Sequence, residues 1–119
     1  MMNKTILIVD DESSILRLLG EHFREVGFNV LEAESAVEAL EKIDFKQVDC
    51  LITDIIMPEL DGVQFVSKLQ EKKIYPPLFF ITGYSEYPRE KLNALKPKAI
   101  IFKPFDLDEL TDLVRLYVK

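Results

Sequence analysis

Short runs of consecutive apolar residues alternate along this chain with stretches whose apolar residues recur every three or four positions. The clearest runs are Ile6-Leu7-Ile8-Val9, Leu51-Ile52-Thr53, Leu78-Phe79-Phe80-Ile81 and Ala99-Ile100-Ile101-Phe102. They carry almost no polar alternation, which fits parallel strands covered by helices on both sheet faces. Strand-like and helix-like segments alternate five times, and that order predicts a doubly wound α/β domain.

The helical segments differ in clarity. Ile15, Leu18, Leu19, Phe23 and Val26 form the expected inner stripe of the first, with Gly27 as its stop. Ser35 and Glu38 have capping-box spacing ahead of Ala39, Leu40 and Ile43. A third helix is expected near Asp61-Gly62, burying Phe65, Val66 and Leu69. The fourth has the weakest pattern: Pro88 suits a first helical position, only Leu92 and Leu95 mark an inner face, and Pro97 ends it. In the fifth, Asp106 serves as cap, with Glu109 three residues on and a stripe of Leu110, Leu113, Val114 and Tyr117.

Each apolar run ends on chemistry. Asp10-Asp11-Glu12 follow the first, Asp54 the second, Thr82 the third and Lys103-Pro104 the fourth. In an open parallel sheet, ligands gather beyond the carboxyl ends of the strands, where strand order reverses. Carboxylates, a hydroxyl and an ammonium would therefore meet there, a set suited to a divalent cation and a phosphoryl group.

Composition narrows the picture. The 119 residues fit one domain, 1–119, with 48% hydrophobic and 30% charged residues. The net charge of −6 works against nucleic-acid binding, which needs phosphates neutralised by Lys and Arg. Cys50 is the single cysteine, so no intramolecular disulfide forms, and a buried, inert thiol is expected. Met1-Met2-Asn3-Lys4 leads into the first run without the apolar stretch of a signal peptide, and no apolar run approaches a membrane span, so a cytoplasmic protein without membrane insertion is expected.

Taken singly, the candidate residues have two readings. Asp10 and Asp11 repel each other and invite a cation, but Asp11, Glu12, Ser13 and Ser14 also suit a helix N-terminus. Oxygen ligands without a His or Cys cluster point to Mg²⁺. Asp54 reads as a turn residue or as a carboxylate that accepts a phosphoryl group, for which a metal and a cation must stand beside it. Lys103 is either a surface lysine or a partly buried ammonium paired with acids. Thr82 either satisfies its own backbone or donates to a phosphoryl oxygen. His22 reads as a helix-surface residue rather than a phosphodonor. Tyr84 and Tyr87 read equally as partner contacts and as ordinary loop aromatics.

Ile8-Val9-Asp10-Asp11-Glu12, Thr53-Asp54-Ile55-Ile56-Met57-Pro58, Asp61-Gly62, Ile81-Thr82-Gly83 and Phe102-Lys103-Pro104-Phe105 together resemble the receiver domain of bacterial two-component response regulators, over essentially the whole chain. That resemblance implies a five-stranded parallel sheet in order 2-1-3-4-5, a flavodoxin-like three-layer sandwich with five helices. It implies that Asp54 accepts phosphate from the phosphohistidine of a sensor histidine kinase or histidine phosphotransfer protein. Asp10, Asp11, Asp54 and the backbone carbonyl of Ile56 would hold Mg²⁺, Lys103 would pair with Asp54 or its phosphate, and Thr82 would move toward the phosphate. Output would pass to a downstream protein target or output domain through the fourth and fifth helices. The protein would catalyse its own phosphorylation and slow dephosphorylation without being a turnover enzyme.

Ile100 departs from the pattern, standing where the resembling family usually has an aromatic that rotates with the switch. Lys96-Pro97-Lys98-Ala99 likewise replaces the Gly-Ala usual before the last strand. A receiver-like interaction module working without phosphorylation is the alternative. A nucleotide- or flavin-binding protein is disfavoured, because Asp10-Asp11-Glu12 occupies the loop where phosphate would need a Gly- or Ser/Thr-rich cradle. A phosphatase is disfavoured too, because Ile56 stands where a second acid is usual.

Overall fold

The computed structural model describes residues 3–83 and 87–118. Five strands, β1 (Thr5–Val9), β2 (Asn29–Ala33), β3 (Cys50–Asp54), β4 (Leu78–Thr82) and β5 (Ala99–Phe102), form one parallel sheet in the order β2-β1-β3-β4-β5. Five α-helices connect and follow them: α1 (Ser13–Glu25), α2 (Ala36–Lys42), α3 (Gly62–Glu71), α4 (Arg89–Asn93) and α5 (Leu107–Tyr117). A 3-10 turn at Phe45–Gln47 precedes β3. No helix among the described residues is long and apolar enough to cross a membrane.

The continuous apolar runs divide by strand periodicity between two cores. Ile6, Ile8, Ile52, Phe79 and Ile81 face α1 and α5, meeting Leu19, Phe23, Leu110 and Val114. Leu7, Val9, Leu51 and Phe80 face the other way, onto Ala36, Ala39, Phe65, Val66, Leu69 and Leu92. Cys50 is buried and free, and burial holds its thiol well above the usual range, so it is unreactive.

Local signals are realised unevenly. Ser35 Oγ accepts from the Glu38 N–H at 3.0 Å, which is one half of the expected reciprocal cap. The complete capping box lies instead at α3, where Asp61 and Gln64 exchange bonds of 2.8 and 2.9 Å. Asp106 caps α5 through the Asp108 and Glu109 N–H groups. Pro88 is the N-cap of α4 rather than its first helical residue.

Two inner-stripe expectations are corrected. Leu18 is 46% exposed, and Leu16 takes its place inside, because the sheet meets α1 along Leu16, Leu19, Gly20 and Phe23. Tyr117 is 42% exposed, its ring lying beside Phe79 and under the Lys98 ammonium at the edge of the sheet. His22 is a half-buried joint rather than a surface residue. Its Nε2 lies 2.6 Å from the Thr111 hydroxyl, which itself donates to the Leu107 carbonyl at 2.8 Å. That contact ties α1 to α5.

Candidate functional site

Parallel register brings the strand ends to one place. Val9 pairs with Thr53, Asp54 with Ile81, and Thr82 with Phe102. Asp10, Asp54 and Lys103 therefore emerge side by side at the carboxyl edge, where strand order reverses between β1 and β3.

Lys103 Nζ is the hub. It lies 3.2 Å from Asp10 Oδ2, 3.2 Å from Asp54 Oδ2 and 3.0 Å from Glu12 Oε1. Its side chain is 14% exposed, which excludes the surface-lysine reading. Burial alone would lower its pKa, but the bond to Glu12 and the charges of Asp10 and Asp54 outweigh this and hold it above the ordinary lysine value. The other oxygens of the two aspartates are anchored by backbone. Asp10 Oδ1 accepts from the Glu12 N–H at 2.8 Å, and Asp54 Oδ1 from the Ile55 N–H at 2.7 Å.

The helix-capping reading of the first acidic loop does not hold. Glu12 occupies the N-cap of α1 without a side-chain capping bond, and its carboxylate turns to Lys103 instead. Carboxylate oxygens of Asp10, Glu12 and Asp54 lie within 4.8 Å of one another. Glu12, read from sequence both as a strand-end carboxylate and as a helix-start residue but not among the expected metal ligands, thus belongs to the site. Asp11 is exposed and lies outside that trio, yet it lines the cleft with Glu12, Asp54, Ile56, Thr82, Gly83 and Lys103, enclosing about 270 Å³. Thr82 is 1% exposed. Tyr84 lies outside the described residues. Tyr87 packs beside the core that also receives Ile100, and its hydroxyl donates to Asp61. Burial first, then the Asp61 charge and this bond, raise its pKa.

Burial pushes the Asp10 carboxyl up to about 6, with the Glu12 N–H opposing and the Asp54 charge reinforcing. Asp54 is raised as well, chiefly by burial, against the pull of Lys103. Two neighbouring carboxylates held in a partly dry cleft by one ammonium are short of positive charge. All the gathered donors are oxygens, so a hard cation such as Mg²⁺ fits them.

A stability prediction follows from the sign of this shift. A carboxyl whose folded pKa exceeds its unfolded value binds protons more tightly when folded, so stability falls as pH rises from about 4 through about 6. Without metal, Asp10→Asn should stabilise the protein by about 1–2 kcal/mol at about pH 7.5. The gain should shrink severalfold near pH 4, where the folded-state carboxyl is protonated and the unfolded one only about half ionised. Urea melts in EDTA at both pH values check this; a loss at about pH 7.5 would contradict the origin assigned to the shift.

Comparison with known proteins agrees with this geometry. Residues 6–115 match the family described as the response regulator receiver domain. The chain is 36% identical over 120 residues to the alkaline phosphatase synthesis transcriptional regulatory protein PhoP of Bacillus subtilis, covering 99% of this chain and 50% of that protein. It is 32% identical over 122 residues to sporulation initiation phosphotransferase F of the same organism, covering 99% and 96%. The chain thus spans about half of the first relative and nearly all of the second. Among solved structures, response regulator protein TrrA of Thermotoga maritima, in complex with Mg²⁺-BeF, matches with a TM-score of 0.85 and 33% identity, covering 96% of this chain and 98% of that one. Chemotaxis protein CheY4 of Vibrio cholerae matches with a TM-score of 0.88 at 25% identity, covering 98% and 99%. The chain belongs to the response-regulator receiver-domain family of two-component signalling.

Proposed function

We infer that Asp54 accepts a phosphoryl group from the phosphohistidine of a sensor histidine kinase or histidine phosphotransfer protein, and that the phosphorylated form engages a downstream target or output domain. The observation that carries this is the Lys103 ammonium held between Asp54 and Asp10 at 3.2 Å from each. Transfer of phosphate is mostly positioning and charge neutralisation, and this cleft is built for both.

Asp54 Oδ1 is engaged by the Ile55 N–H, which leaves Oδ2, on the Lys103 side, as the attacking oxygen. Attack forms the O–P bond while the P–N bond to the donor imidazole breaks, and that nitrogen takes up a proton. Lys103 remains beside the new phosphate and offsets its charge. Thr82, at the end of β4 in the same cleft, supplies a hydroxyl to a phosphoryl oxygen. Asp10, Asp11, Asp54 and the Ile56 carbonyl would hold Mg²⁺, which supplies positive charge to the transferring oxygens. Relatives that are a sporulation phosphotransferase and a sensor protein support kinase or phosphotransfer partners.

The test is incubation with acetyl phosphate, with Mg²⁺ or with EDTA, read by intact mass. One added phosphate with Mg²⁺ and none in EDTA is expected. No gain with acetyl phosphate or phosphoramidate would favour the phosphorylation-independent interaction module, for which Ile100 is the best support.

A further inference from the structure

At the end of the sheet opposite the acidic cleft, a larger groove of about 680 Å³ opens beneath the amino ends of β3 and β4. Ile43, Phe45, Leu69 and Ile74 contribute its apolar lining, and Tyr75, 67% exposed, stands at its side. Lys46, Lys72 and Lys73 rim it, all exposed, and among the described residues none has an ion-pair partner. The one acid in the lining, Asp44, is engaged in capping the 3-10 turn through the Lys46 N–H at 3.0 Å.

On a protein of net charge −6, three unpaired lysines around an apolar trough stand out. Their backbone is also specifically built. α3 ends in a Schellman turn, with Ile74 N–H bonded to the Leu69 carbonyl and Lys73 N–H to the Gln70 carbonyl. Lys73 sits in that turn at φ 62°, a left-handed position where glycine costs less than any residue with a Cβ. The lysine is therefore carried there against a backbone penalty.

We propose that this groove docks an acidic segment of a partner protein, with leucine- or phenylalanine-like anchors seated in the trough and carboxylates facing Lys46, Lys72 and Lys73. Three carboxylates beside three ammoniums give complementarity without burying the charges. Nucleic acid fits less well, since its phosphates have no use for the apolar floor and the whole molecule repels them. A second copy related by a two-fold axis fits less well too, because basic rim would meet basic rim. β3 separates the groove from Asp54 by roughly 13–16 Å, so a segment here leaves the phosphoryl cleft open.

The probe is a synthetic 16-residue peptide with Leu and Phe at helical spacing and Glu elsewhere, followed by amide NMR shifts of the full chain. Its counterpart with Lys for Glu is the control. The glutamate peptide should shift amides of Ile43, Phe45, Lys46 and Lys72–Tyr75, and binding should weaken as salt rises. The triple variant Lys46→Glu, Lys72→Glu, Lys73→Glu should bind about tenfold more weakly with an unchanged thermal midpoint. Absence of groove shifts at millimolar peptide, equal shifts with the lysine peptide, or groove shifts produced by raising protein concentration alone would each overturn the proposal. The titration uses no phosphodonor, so it stands or falls separately from phosphorylation at Asp54.

Discussion

Asp54→Asn should take up no phosphate from acetyl phosphate and Mg²⁺, with incorporation at least about 100-fold slower than in the natural protein. No neighbouring acid is placed to substitute. Asp10 is fully buried, with one oxygen on the Glu12 N–H and the other on Lys103. Glu12 is held by Lys103, and Asp11 stands outside the trio at the cleft. The same variant should be more stable than the natural protein at neutral pH. Burial raises the Asp54 pKa, so the charged form carries a folding cost that is present above the folded pKa and absent once pH falls below the unfolded one. An amide also retains an oxygen for the Ile55 N–H. Intact mass and urea melts, run together, distinguish loss of the acceptor from loss of the fold. Undiminished phosphate uptake would remove Asp54 from its role.

Gly62→Ala should be the most damaging small substitution near the site. Gly62 opens α3, and its N–H donates to the Ile55 carbonyl at 2.7 Å. A Cβ there would overlap the Asp54 carbonyl oxygen and lie 2.9 Å from Ile55 Cα, both backbone atoms with no rotamer to change. The need is for close approach, since Gly62 is not in the left-handed region. Either the start of α3 or the Asp54–Ile55 backbone must move. The expected loss is about 2–3 kcal/mol, a fall of about 10 °C in Tm. Because the displaced backbone carries the acceptor, phosphate incorporation should slow as well, which a distant destabilising substitution would not cause. Calorimetry and timed mass spectra check the two effects. A variant with unchanged Tm would mean that the loop yields more easily than its packing implies.

Legibility followed the range of the interaction involved. Four of the five strands were readable because each is a short apolar run bounded by polar and turn residues, whereas β2, with Asn29 and Glu32, carries no such run. The residues just after those four were readable because a strand end is fixed by the covalent chain. Asp10, Asp54, Thr82 and Lys103 were expected at strand ends on that ground, and the structure brings Asp10, Asp54 and Lys103 into direct contact. The Asp106 cap was equally local. Glu12 was left with two readings because a helix-start residue also has a local use for its side chain. That use loses to an ammonium 91 residues away, whose charge in a partly dry cleft outweighs an exposed backbone N–H. Leu18 was misplaced because a stripe defined by spacing tolerates a rotation of about one residue, and only the position of the sheet selects Leu16 instead.

Local pattern thus sufficed for the parallel α/β architecture and for most of the acidic cleft, since both depend on strand periodicity and on neighbours along the chain. Folding alone set the Glu12 carboxylate on Lys103, His22 in the joint between α1 and α5, and the lysine-rimmed groove at the opposite end. Each of these is made by groups distant in sequence, whose partners and surroundings come into being only when the layers pack.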